Sequence, residues 1–350
     1  MLDADPARPV PPALIAQATG ADQNPPVAAD PLRDGDLQLA LLMLYELHYR
    51  GVEGVPDEWE WHPDALRIRA ALERIFEPAL RAGAAKVLAQ YRPDGSAADA
   101  DAADTVIATL LAMTAPSPAP GLAGHLARHA GVREYRELLI HRSVYHLKEA
   151  DPHTFAIPRL SGAPKAALVE IQSDEYGNGR PEWVHANMFA GTMTALGLNP
   201  RYGYYVDRIP AVTLAAANMM SLFGLHRRLR GAAVGHLAAF EMTSTRPNGL
   251  YAQGLRRLGL GDDAAAYFDE HVEADAVHEQ IALRDLAGGL VRQDPALSED
   301  VLFGAAAALA LDEVTAAHLL HCWQADRSSL RSGEAGPAQV PTQAAAPVTV

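Results

Sequence analysis

Residues Asp269–Gln280 read DEHVEADAVHEQ. At about 100° per residue, His271, Asp275 and His278 fall within roughly 60° of one another on a helix. Two imidazoles and a carboxylate on one stripe are what a transition metal takes from a single helix. Asp269, Glu270, Glu273 and Glu279 crowd the same segment, so a solvated acidic face is the competing reading. A second segment, Ile171–Phe189 (IQSDEYGNGRPEWVHANMF), places Asp174, Glu175, Glu182 and His185 around a glycine- and proline-containing interruption. Glu182 and His185 form an E-x-x-H pair, the spacing by which one helix of a ferritin-like bundle supplies two ligands. The break at Gly177–Pro181 destroys the helical phase, so spacing does not choose among the three acids. A kinked helix with solvent-facing acids fits that segment equally well.

Two further acids keep apolar company. Glu149 closes HRSVYHLKEA just before Pro152, and Glu241 follows the run Ala232–Phe240. A carboxylate buried there without a partner costs several kcal/mol or stays protonated. Glu149, Glu175, Glu241 and Asp275 carry four negative charges, and His185, His271 and His278 are neutral as ligands. Two divalent cations balance that sum, the state a low-dielectric interior tolerates best. Carboxylate and imidazole ligands without thiolate favour iron or manganese over structural zinc. Two redox metals with open positions point to O2 chemistry.

Helices must carry these residues. Asp36–Tyr49 is amphipathic, and 63–90 continues the pattern through Leu66, Ile68, Leu72, Ile75 and Leu80. The polar stretch 92–105 reads as a linker and APSPAPG (115–121) as a turn. Further helices are expected at about 131–150, 164–198, 210–230, 231–245, 262–292 and 298–325, with prolines and glycines such as Pro152, Pro210, Pro247 and Gly261 between them. No strand pattern and no repeat emerges, so the fold class is all-α, a helical bundle. The expected division is a disordered arm over 1–35, an N-terminal helical segment over 36–120, a catalytic bundle over 121–327 and a disordered tail over 328–350.

Composition removes several classes. With 43 acidic against 29 basic side chains, net charge −14, the 350-residue chain lacks a broad basic face for nucleic acid or anionic membrane. A single cysteine, Cys322, excludes an intramolecular disulfide and any cysteine-built metal cluster. The uncharged stretch 209–225 contains Pro210, Thr213, Asn218 and Ser221 and reads as a core helix. The first residues carry no basic start followed by an apolar run, so a cytoplasmic protein is expected. His318 and His321 beside Cys322 read as packing histidines, and Trp59 and Trp61 as a packing corner. Arg159 and Arg180 read as salt-bridge partners of the candidate acids.

Together these residues resemble the heme-oxygenase-like diiron oxidases and oxygenases. The likeness rests on KEADPHTFAIPRLSG (148–162), EIQSDEYGNGRPEWVHANMFAGTMTALGLN (170–199), the lone Glu241 and EHVEADAVH (270–278), and spans about 130–325. It implies a heme-oxygenase-like bundle with an added N-terminal helical segment. It implies a metal ligand set of Glu149, Glu175, His185, Glu241, His271, Asp275 and His278 for two iron ions. Glu175 is similar to the additional carboxylate of the branch that oxygenates amine nitrogens. The implied protein is a non-heme diiron oxygenase that uses O2 as co-substrate and N-hydroxylates a small amine or amino-acid metabolite. An external electron donor is required, because no G-x-G-x-x-G follows a strand. A diiron oxidase that desaturates or fragments an aliphatic or amino-acid substrate is the alternative, and a non-catalytic helical binding protein the third reading. The expected partners are the small substrate and a reductant, without nucleic acid or membrane, and a homodimer is left open. Four core acids oppose a dianionic porphyrin, which argues against heme.

Overall fold

The structure, a computed structural model, describes residues 30–91, 101–116 and 121–332. Most of the expected arm, linker and tail, and the turn at 117–120, lie outside the described residues. The described residues are all-α, with an isolated antiparallel bridge between Tyr176 and Val184. The helices are α1 (Gly35–Glu46), α2 (Pro63–Leu88), α3 (Ala102–Met113), α4 (Gly121–Arg128), α5 (Val132–His146), α6 (Gly162–Glu175), α7 (His185–Ala195), α8 (Ala211–Leu225), α9 (Arg230–Arg257), α10 (Asp262–Gln280) and α11 (Ser298–Gln324). One-turn Asp151–Thr154 links α5 to α6, and α10 runs on through a π-helical stretch, Ile281–Gly288, into Gly289–Gln293.

Helix α9 is the central post, packed on α10, α11 and α4. Its approach to α11 is set by two glycines. A Cβ on Gly235 would meet the Val301 carbonyl oxygen at 1.8 Å, and one on Gly304 would meet that of Ala232 at 2.0 Å. Only glycine admits backbones this close. Helix α8 buries all but two of its fifteen residues and lies against α1. One core cluster runs continuously from Leu37 and Phe76 to Leu286 and Phe303, so the N-terminal helices share one interior with the later ones. A second, around Leu126, Phe189, Tyr251 and Phe268, lies under α4, α7 and α10. Among the described residues one helical stretch, Pro295–Gln324, is long and apolar enough to cross a membrane. It packs on α2 and α9.

Several boundaries differ from expectation. The polar stretch 92–105 turns helical at Ala102, because Asp101 accepts the Ala103 N–H and caps α3. Helix α9 does not end near 245 but passes through Pro247 to Arg257. A mid-helix proline costs about 3 kcal/mol. The continuation buries Tyr251 and Leu255, each contributing about 1.5–3 kcal/mol, which offsets that cost. The packed chain also runs beyond 327. Ser329 is buried, its N–H and Oγ–H donating to Glu137 and the ring of His318 donating to its carbonyl.

Candidate metal centre

Helix α10 carries His271, Asp275 and His278 inward, all three at most 3% exposed. Asp269 and Glu270 are half-buried and Glu273 is exposed, so the acidic face and the inward stripe coexist on one helix. The ring of His271 donates Nδ1–H to the carbonyl of Tyr267 at 2.7 Å, four residues back, which turns Nε2 inward. The ring of His278 donates Nε2–H to Asp174 Oδ2 at 3.0 Å, leaving Nδ1 3.5 Å from Glu241 Oε2.

The opposite wall comes from the loop between α6 and α7. Gly177, Asn178 and Gly179 all have left-handed backbones, with φ of 66°, 52° and 80°. A Cβ on Gly177 would lie 2.6 Å from the carbonyl carbon of Trp183, so only glycine closes this turn. The Tyr176–Val184 bridge then sets the end of α6 beside the start of α7. Glu175, the last residue of α6, and His185, the first of α7, end with Oε2 and Nδ1 2.9 Å apart.

Glu149 arrives from a third direction. Helix α5 stops at His146, and Leu147–Ala150 form a turn whose last residue, Ala150, has φ 73°. For a residue with a Cβ this costs about 1–2 kcal/mol. The Tyr267 hydroxyl donates to Glu149 at 2.7 Å, and the Gln172 side chain donates to the Ala150 carbonyl. Glu241 is presented by α9 and is 3% exposed.

Six of the seven expected residues fall into two groups whose ligand atoms all lie within 4.8 Å of one another. Glu149, Glu175, His185 and His271 form one; Glu175, Glu241 and His278 form the other, and Glu175 is common to both. Asp275 lies outside both sets; it is buried beside Glu241, with Oδ2 unpartnered. His271 Nε2 and His278 Nδ1 are likewise buried without a hydrogen bond, and Glu175 Oε2 and His185 Nδ1, equally buried, have only each other as an ion pair. Buried polar atoms are seldom left so, and these converge.

The electrostatics describe a site that wants cations. Burial, then the charge of Glu175, pushes Glu149 well above the carboxylate range. Burial, then Glu241, pushes Asp275 up to about 8. Burial also raises Glu241 itself. At His185 and His278 burial alone would lower the pKa, but Glu175 and Glu241 respectively outweigh it and raise each to about 9. Burial and the neighbouring His185 lower His271 to about 4. Without metal, protons thus take the place of positive ions. A buried set of four carboxylates and three imidazoles, with nitrogens already turned inward, fits two divalent ions of the iron or manganese type.

The remaining expectations divide. The loop geometry selects Glu175 over Asp174 and Glu182: Asp174 is the outer partner of His278, and Glu182 is exposed. Arg159 does not pair with the site acids; it donates to the carbonyls of Gly224 and Leu225 at the end of α8. Arg180 lies over the Trp183 ring. Trp59 and Trp61 are 41% and 67% exposed, so they form no buried corner. Residues missed from sequence include Tyr267, which shares the α10 stripe one turn before His271, and Tyr145, whose hydroxyl feels Glu149, Glu175 and Glu241. Both read as ordinary core aromatics. His153 and His236, hydrogen-bonded at 3.0 Å and buried, were also missed.

Buried carboxylates and imidazoles converging from four helices and a turn make this all-α bundle a candidate metal-binding protein. The family of iron-containing redox enzymes matches residues 136–313, half of the chain, and the protein belongs to this heme-oxygenase-like family. No curated protein matches the sequence.

Proposed function

We propose that this protein is a non-heme diiron oxygenase that N-hydroxylates a small amine or amino acid with O2 and electrons from an external donor. The observation that carries this reading is the pair of buried ligand groups joined by Glu175. Glu149, His185 and His271 would hold one iron, Glu241 and His278 the other, with Glu175 between them and Asp275 in support. When bound, iron supplies the redox equivalents and the open positions at which O2 is activated. Membership of the iron-containing redox enzyme family supports the redox activity; the nitrogen target rests on the resemblance of Glu175 to the additional carboxylate of relatives that oxygenate amines.

The chain's own residues prepare the site. Tyr267 donates to Glu149 and orients it, while burial and that same carboxylate keep the phenol protonated. Asp174 and the Tyr267 carbonyl fix which nitrogen of His278 and His271 faces inward. The rings of Tyr145, His146, Phe189, Phe240 and Tyr267 pack edge to face or tilted along one side and exclude bulk water.

Anaerobic titration of the apoprotein with Fe(II), followed by O2 and candidate amines, tests this. Uptake of two irons per chain and a product that gains oxygen on nitrogen are expected. A product that only loses two hydrogens would move the reading to a desaturating oxidase. No iron uptake would leave a helical binding protein.

A further inference from the structure

The turn that presents Glu149 is gripped on one side by the last residue of the first helix and on the other by Arg50 in the turn that follows that helix. Lys148, immediately before it, is 1% exposed and pairs with Glu46, which is fully buried at the end of α1. Lys148 also sits over the Tyr49 ring, 4.0 Å from its centroid, and Tyr202 donates its hydroxyl proton to Glu46 at 2.6 Å. Asp151, two residues after Glu149, faces Arg50 at 3.7 Å and accepts the Tyr176 hydroxyl at 2.9 Å. Between these two anchors lies Ala150, a non-glycine residue in the left-handed region.

Stability does not account for this arrangement. A buried ion pair contributes little net stability, because desolvating two charges consumes the attraction between them. Here the pair is also incompletely satisfied, since Glu46 Oε2 is buried without a partner. What such a pair does supply is position. A left-handed alanine persists only where its surroundings over-determine the backbone. The Glu46–Lys148 pair, the Arg50–Asp151 pair and the Gln172 bond to the Ala150 carbonyl are those surroundings.

We propose that Glu46 is a positioning residue of the metal centre, holding the strained turn Leu147–Ala150 through Lys148 so that Glu149 is set before metal arrives. The proposal rests on Glu149 being a metal ligand. It makes α1 part of the site although none of its residues reaches the ligand atoms. The cost of ordering the first ligand is met on folding rather than on metal binding, which raises affinity.

Two variants test it on the full-length apoprotein. Glu46→Met with Lys148→Met replaces the pair by apolar side chains of similar length, and Ala150→Gly relieves the turn while removing only one buried methyl and no hydrogen bond or ion pair. Readouts are apoprotein Tm, anaerobic Fe(II) affinity by chelator competition, and the visible ligand-field spectrum of bound Co(II). The double variant is expected to melt no lower than wild type, bind Fe(II) about tenfold more weakly and show an altered Co(II) spectrum. Ala150→Gly is expected to raise Tm while lowering affinity, an opposition that a purely structural role would not produce. Wild-type affinity and spectrum in the folded double variant would overturn the proposal. Should that variant fail to fold, unchanged affinity in Ala150→Gly overturns it, and reduced affinity with a raised Tm bears it out. A wild-type protein that binds neither metal overturns the metal-centre reading itself, and this proposal with it.

Discussion

The two ligand groups meet at Glu175 but are built on different supports. In the first, His271 is oriented by a carbonyl of its own helix, and its ring packs on Tyr267, which is backed by Phe189. In the second, His278 is oriented by the side chain of Asp174, which is 42% exposed and is itself held by Asn178. A backbone acceptor cannot be mutated away, whereas a surface carboxylate can. The first group is therefore fixed by the fold, and the second is tunable from the surface.

The largest effect should come from the residue the groups share. Glu175→Ala is expected to abolish binding of both metals, whereas Glu149→Ala and Glu241→Ala should each leave one, as read by metal content after anaerobic Fe(II) loading. One metal retained in Glu175→Ala would break the two-group picture.

Next comes the loop. Gly177→Ala puts a Cβ against the backbone of Trp183 at a positive φ, and should cost about 1–3 kcal/mol by denaturant titration. Because the loop joins Glu175 to His185, metal affinity should fall in both groups. A stable variant with intact binding would show that the loop does not set the ligands.

Asp174→Asn should separate the supports. It removes the carboxylate behind His278 and should weaken one metal by about 10–100-fold, leaving the other unchanged in a stepwise titration. Equal weakening of both would erase the distinction.

The smallest effect is on stability against pH. Asp275, at about 8, lies above its unfolded value of 3.8, and His185 and His278, at about 9, lie above 6.5. All three are raised, so the folded apoprotein binds more protons than the unfolded chain, and their contribution is lost as pH rises. Apoprotein Tm should fall by about 5 °C between pH 6 and 9. Saturating Fe(II) or Mn(II) should reverse the slope, because metal replaces those protons. An apoprotein Tm that rises over this window would contradict the charge description.

Legibility followed regularity. The stripe His271, Asp275 and His278 could be read because α10 keeps its period through all three residues. The choice of Glu175 could not, because three successive left-handed residues cancel any helical phase between it and His185. Glu149 was readable as an acid at a helix end, but not the turn that aims it, since nothing local predicts an alanine at φ 73°. Tyr267 was hidden because a buried aromatic on an inward stripe looks like packing. At Pro247 a sound local rule failed, because the apolar face beyond it outweighs the lost hydrogen bond. The all-α class, by contrast, needs only composition and period.

The end of the described chain is tied back to its middle through Glu137. Glu137 lies on α5, the helix that leads to Glu149, and its buried carboxylate takes hydrogen bonds from Trp323 and from both donors of Ser329. Those donors are synthesised almost two hundred residues later. A nascent chain still held at the ribosome short of Ser329 thus has a charged group in its interior without its partners. Those contacts can be completed only after Ser329 has been made, and a truncation before Ser329 would take two of these three donors from the buried Glu137 carboxylate.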